Sequence, residues 1–232
     1  RSSPQELLSL NLNCRDPRVP QMLWRFICRN YPEVLEGEDL KRWKSFAAGR
    51  ILFPPGDTQM NLLMQAVPDF ERIGDYATNI DELAMQLVNS KVILSEKARM
   101  ELSVVFEAVE EIVEITVEAF RNDDNELAEK VEPLEEVIDD MVVTLRDNHT
   151  ERLRQGTCTV AAGLVFLDVL TQLERAADQC SSIALLMLAR DNEEIRQNHH
   201  VYLRNLHSKG NAFYCAELER RREQYMSRIC SQ

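Results

Sequence analysis

The chain has 232 residues, 44% hydrophobic and 28% charged, with 27 Lys and Arg against 39 Asp and Glu, a formal charge of -12. Such an acidic chain has no phosphate-binding surface of clustered Lys and Arg, which excludes a nucleic-acid binder and points to cations or basic protein surfaces as partners. Seven Gly and eight Pro, with seven of the Pro in the first 68 residues, leave too few turn formers for a sheet, so the fold class is all-α.

Residues 1 to 60 hold nine Lys and Arg against seven Asp and Glu, so the acidity belongs to residues 61 to 232. Pro17, Pro20, Pro32, Pro54 and Pro55 interrupt any long helix in the first part and leave short pieces such as 21–29 and 38–48. From residue 58 to 90 the pattern is helical. Three long amphipathic segments come next, each with apolar residues at i, i+3, i+4 and i+7. The first starts with Ser95 as N-cap and runs through Leu102, Val105, Val109, Ile112, Thr116 and Ala119 to about Arg121 and Asn122. Asp123 or Asp124 caps the second, whose stripe is Leu127, Val131, Leu134, Ile138, Met141 and Leu145, with Pro133 as an internal irregularity and Gly156 closing it. Thr157 or Thr159 opens the third, with Leu164, Leu167, Leu170, Leu173, Ala177, Cys180, Ala184 and Met187 facing a core and Asp191 and Asn192 at its end.

Three successive antiparallel helices with short connections form a three-helix bundle. A further helical pattern, 193–232, reads as an arm or hairpin. Its run Glu219, Arg220, Arg221, Arg222 reads as a solvated face. The longest uncharged stretch considered, Gln155 to Leu167, has 13 residues, against about 20 for a membrane span. The chain opens at Arg1 without Met or signal-peptide pattern, as a segment cut from a longer protein would. Six cysteines at 14, 28, 158, 180, 215 and 230 show no framework spacing and read as reduced thiols, Cys180 as a core residue.

The chain repeats itself. Phe70-Glu71-Arg72-Ile73-Gly74-Asp75 through Ile80 aligns with Leu173-Glu174-Arg175-Ala176-Ala177-Asp178 through Ile183, one bundle length away. Residues four apart on a helix stand above one another, so Glu71 and Asp75, and likewise Glu174 and Asp178, place two carboxylates side by side. The repulsion between them is relieved by a bridging cation. A further pair, Glu135 and Asp139, sits in the run Glu132, Glu135, Glu136, Asp139, Asp140 on the preceding helix. Antiparallel packing would bring it opposite Glu174 and Asp178 as an all-oxygen site for iron, manganese, magnesium or calcium.

A dinuclear-iron enzyme would add a Glu-x-x-His on each of two helices, and the sequence has none. His149, His199, His200 and His207 lie outside the acidic stripes, and no phosphate loop, GxSxG or Cys-His pairing is evident in the spacing. No catalytic residues are assigned, and the chain reads as a non-enzyme.

The segments FERIGDYATNI and LERAADQCSSI resemble the signature of PhoU domains, where such a helix recurs once in each of two three-helix bundles. VEPLEEVIDDMVVTLRDNHTERLRQGTC, with the terminal HHVYLRNLHSKGN, resembles the PhoU-like cytoplasmic part of bacterial sodium/phosphate cotransporter family proteins. The likeness covers residues 58 to about 228. It implies a tandem of bundles, the first atypical, with residues 1–92 as first bundle, 93–192 as second and 193–232 as arm. It also implies metal clusters, divalent or trivalent and typically iron, on paired acidic motifs: Glu135, Asp139, Glu174 and Asp178 in the second bundle and Glu71 and Asp75 in the first, for whose other half Glu36 and Asp39, three rather than four residues apart, are the best candidates. Departures from the pattern are Pro68, Tyr76 and Gln179 in place of His, Ala177 in place of Gly, and Ser182 in place of Asn. The implied function is regulation of phosphate uptake at the inner face of the cell membrane, in the cytoplasm, by docking to a transporter membrane domain or a sensor protein, with room for a homo-oligomer. The competing reading is a metal-independent helical interaction module whose acidic stripes meet a basic partner.

Overall fold

The computed structural model describes residues 58–209 and 211–230, and all regular structure among them is helical. Helix α1 spans Thr58–Ser90, α2 Glu96–Asn122, the single turn α3 Asn125–Ala128, α4 Val131–Arg154, α5 Val160–Asp191, the short α6 Glu193–Gln197, α7 His199–Lys209 and α8 Ala212–Cys230. The chain divides into two compact units, Arg1–Pro68 and Asp69–Gln232, and helices α2 to α8 belong to the second. The expected helices of residues 1–57, with Glu36 and Asp39, lie outside the described residues.

The helix limits reflect local chemistry. Ser95 Oγ accepts from the Ala98 amide at 3.2 Å and Thr159 Oγ1 from the Ala162 amide at 3.2 Å, the hydroxyl caps expected of α2 and α5. After α2 the backbone turns through Asp123 at φ 55°, and Asp124 caps only the short α3 before the chain restarts at Val131. Pro133 is thus not an internal irregularity. It sits in the first turn of α4, where an amide hydrogen would have no intrahelical partner. Helix α4 stops at Gly156, whose φ of 68° lets its amide reach Leu153 O at 3.1 Å and the Thr157 amide reach Arg152 O at 3.0 Å.

Helices α2, α4 and α5 pack on one another around Leu102, Val105, Ile112, Leu134, Ile138, Met141, Leu145, Phe166, Leu170, Leu173, Ile183 and Met187, all buried. One expected core position fails. Leu164 is exposed, and the inner face of α5 is instead carried by Ala162, Val165, Phe166 and Val169 before joining the expected stripe at Leu170. Burial of Cys180 in this core pushes its thiol up to about 12, and Cys158, Cys180 and Cys215 are free thiols.

Residues 212–230 do more than form an arm. Helix α8 lies along α2 and α4 as a fourth neighbour, burying Tyr214, Tyr225 and Ile229. The basic run, expected as a solvated face, is engaged there. The buried Arg221 pairs with Glu111 and Glu217, Arg222 reaches Asp140 at 2.8 Å, and Arg228 reaches Glu107 at 2.7 Å. Helices α6 and α7 turn back so that Ile195, Tyr202 and Leu203 pack on Leu185, Leu188 and Ala189 near the end of α5.

Gly163, inside α5, allows the close approach of α4: a Cβ there would fall 2.4 Å from His149 Cε1 and Nε2. His149 is itself buried, so the ring has little room to retreat. Gly163→Ala gains about 1 kcal/mol of helix propensity but overpacks the interface at a cost of about 1–3 kcal/mol. The expected net result is a lower urea midpoint, and an unchanged or higher midpoint would show that the ring shifts freely.

Candidate metal centre

The first half of helix α4 aligns five acids, Glu132, Glu135, Glu136, Asp139 and Asp140, and α5 brings Glu174, Asp178 and Ser181 against them. Within this array Glu135, Asp139 and Asp178 converge: one oxygen from each lies within 4.8 Å of the others. Burial first, then the charges of Glu132, Asp139, Asp178 and Glu136, push the Glu135 carboxyl up to about 9. Asp139 rises to about 6 through burial and the charges of Asp178, Glu174, Glu136 and Asp140. Asp178 also rises, by burial and Glu174, opposed by a hydrogen bond with Glu135 and the nearby Arg175. A protonated Glu135 donating to Asp178 is the arrangement these shifts describe.

The acids around this trio are already compensated by protein groups. Glu132, buried, accepts from Ser181 Oγ and stands 2.7 Å from His207 Nε2, while Glu136 lies 3.4 Å from His207 Nδ1. Asp140 is held by Arg222. Glu174, expected as a ligand, is turned to Arg146, whose Nη2 donates at 2.6 Å. The three converging carboxylates have no such ion pair, and Asp139 Oδ1 is buried without a hydrogen-bond partner. An orphaned buried carboxylate oxygen beside two more carboxylates is an all-oxygen donor set for a hard cation, so the residues fit a metal ion.

Of the expected site residues, the structure brings together Glu135, Asp139 and Asp178 and leaves Glu174 beside them on Arg146. Glu71 is half-buried and Asp75 exposed on α1, and among the described residues neither joins a ligand group. On the same helix Arg72 pairs with Asp69 at 3.1 Å and donates to Gln179 at 3.2 Å, and Asn79 donates to Gln172 at 2.9 Å. Two sequence expectations about histidine change. His207 docks onto the acidic stripe from 75 residues away, with its ring stacked 6.1 Å from that of Tyr214. His149 Nδ1 lies 3.8 Å from Cys158 Sγ, a Cys-His contact that spacing did not show because the turn at Gly156 folds it back. Burial and Arg152 lower the His149 pKa, so the imidazole is neutral. Arg146 was legible in principle, two turns beyond Asp139 on α4 and so on its side of the helix.

Residues 102–187 match the PhoU domain family. This stretch is similar to a PhoU domain. All of Glu135, Asp139, Glu174 and Asp178 lie inside it, whereas Glu71, Asp75, His207 and Arg222 lie outside. The chain is 30% identical over 115 residues to the phosphate-specific transport system accessory protein PhoU homolog 1 of Thermotoga maritima. That likeness covers 50% of this chain and 49% of the relative, so the chain spans about half the length of the curated relative it matches. Residues 1–92 also match the exonuclease I C-terminal domain family, and the structure describes only 58–92 of them. No solved structure matches the chain significantly. The matched stretch takes in most of α2, all of α3 and α4 and most of α5, and α8 packs on it from beyond its limit.

Proposed function

We propose that this chain is a regulatory module of phosphate transport whose PhoU domain carries a metal-binding carboxylate centre on α4 and α5. The observation that carries this reading is the convergence of Glu135, Asp139 and Asp178 around a buried, unpartnered Asp139 oxygen inside that domain. A divalent or trivalent ion, iron first among them, supplies fixed positive charge at that point. The residues' own work is to present oxygens from two helices, so that filling the centre ties α4 to α5 and sets the shape of the acidic face. The partner is the membrane domain of a phosphate transporter or a sensor protein, and the likeness of 131–158 and 199–211 to sodium/phosphate cotransporter parts favours a cytoplasmic position at the membrane's inner face. The relative's role as a transport accessory protein supports regulation rather than catalysis. Among the described residues, no helix is long and apolar enough to cross a membrane.

Elemental analysis tests the centre. Protein purified without chelator or nickel is expected to retain near-stoichiometric metal, and a variant with Glu135, Asp139 and Asp178 changed to Ala is expected to lose it. A titration against the transporter's membrane part should then weaken with the same variant. No metal in either protein would leave the PhoU fold standing and turn the stripes into metal-independent protein-contact surfaces.

A further inference from the structure

We infer that Arg146 is a positioning residue that sets the cation affinity of this centre by holding Glu174 out of it, an inference that rests on the metal reading above. Arg146 Nη2 donates to Glu174 Oε2 at 2.6 Å and lies 3.4 Å from Thr171 Oγ1, on the preceding turn of α5. Glu174 stands one turn before Asp178, near enough that its charge acts on both Asp139 and Asp178. Yet its Oε2 is held by the guanidinium, and Glu174 is not part of the converging trio.

Three carboxylates leave a hard cation short of oxygen ligands, since such ions take six or more. Glu174 is a further carboxylate on the facing helix, one turn from Asp178, and release from Arg146 would free it to ligate. Arg146, 39% exposed, can turn its long side chain to water when the carboxylate leaves. Glu174 therefore chooses between a protein cation and a metal ion. By linkage, whatever stabilises the first pairing weakens the second to the same extent.

The experiment measures Mn2+ affinity of the full chain by competition with a fluorescent chelator, in wild type, Arg146→Gln, Glu174→Gln and the double variant. Arg146→Gln is expected to tighten Mn2+ binding by about tenfold, within the roughly 5- to 150-fold usual for coupled sites. Glu174→Gln should loosen it, and adding Arg146→Gln in that background should change little, because Arg146 acts through Glu174. Arg146→Lys, which keeps the charge but loses the planar fork, should fall between wild type and Arg146→Gln. Equal tightening in both backgrounds would reduce Arg146 to a bare charge and overturn the inference, as would looser binding in Arg146→Gln. Metal that is lost in the Glu135, Asp139, Asp178 variant but indifferent to Arg146→Gln would leave the centre and remove only this role. No Mn2+ on wild type or Arg146→Gln would remove both.

Discussion

Glu101→Leu is expected to destabilise the protein by about 3–5 kcal/mol, the cost of leaving a buried partner charge alone. The Glu101 side chain is fully buried and that of Arg152 nearly so, with Nη1 and Oε2 2.6 Å apart. Glu101 Oε1 accepts a second bond from Asn148 Nδ2 at 2.9 Å, so one carboxylate holds two groups of α4 against α2. The guanidinium lies 5.1 Å over the Phe166 ring, and its Nε and Nη2 have no hydrogen-bond partner. Its positive charge therefore depends on Glu101 for compensation. Removing the carboxylate strands that charge among Phe166 and the neutral His149, and the bundle must open to let water reach it. Arg152→Met in the same chain should recover most of the loss, because two apolar side chains need no pairing. Urea midpoints of the two single variants and the double variant form the test. Additive losses would show that the pair is not a unit.

Glu101 also shows what the sequence could and could not tell. It falls among Ala98, Leu102 and Val105 on the inner face of α2, so a charged residue at a core position was legible. Its partner, 51 residues away on α4, was not, because periodicity describes one helix at a time and says nothing of how two are rotated against each other. The same limit separates the parts of the candidate centre. Glu135 with Asp139, and Glu174 with Asp178, are readable as one-turn pairs. Which oxygens meet depends on interhelical packing, and the packing gives Glu174 to Arg146. Helix ends were readable where a hydroxyl or glycine acts locally, as at Ser95, Thr159 and Gly156. The engagement of α8 was not, because its apolar stripe is thin: Tyr214, Tyr225 and Ile229 bury, and the rest of the contact is ionic, through Arg221, Arg222 and Arg228.

In chelator, the protein is expected to lose stability as pH rises from about 5 to about 9 and to recover it when a divalent ion is added. The sign comes from the two strongest shifts, Glu135 from 4.5 to about 9 and Asp139 from 3.8 to about 6. With pKa values raised on folding, the native chain keeps protons that the unfolded chain has released. Their contribution is therefore fully present below the unfolded pKa values and is lost as pH passes through the folded ones, at up to about 1.4 kcal/mol per pH unit for each proton. On the acid side Glu111 and Glu217 act in the opposite sense: hydrogen bonds from Arg221, Tyr225 and Arg220 overcome their burial and lower their pKa values, so protonation breaks the Glu111 contacts that tie α8 to α2 and the Glu217 pairs within α8. The stability maximum of the metal-free chain should thus lie near pH 5 rather than near neutrality. A cation binds the ionised carboxylates only, so its stabilisation grows with pH and flattens the alkaline limb. Glu135→Gln keeps a neutral donor to Asp178 at all pH values and should flatten the same limb without metal. Urea midpoints at pH 5, 7 and 9, with chelator and with Mn2+, decide the matter, and an alkaline limb as steep in Glu135→Gln as in wild type would place the titrating group elsewhere.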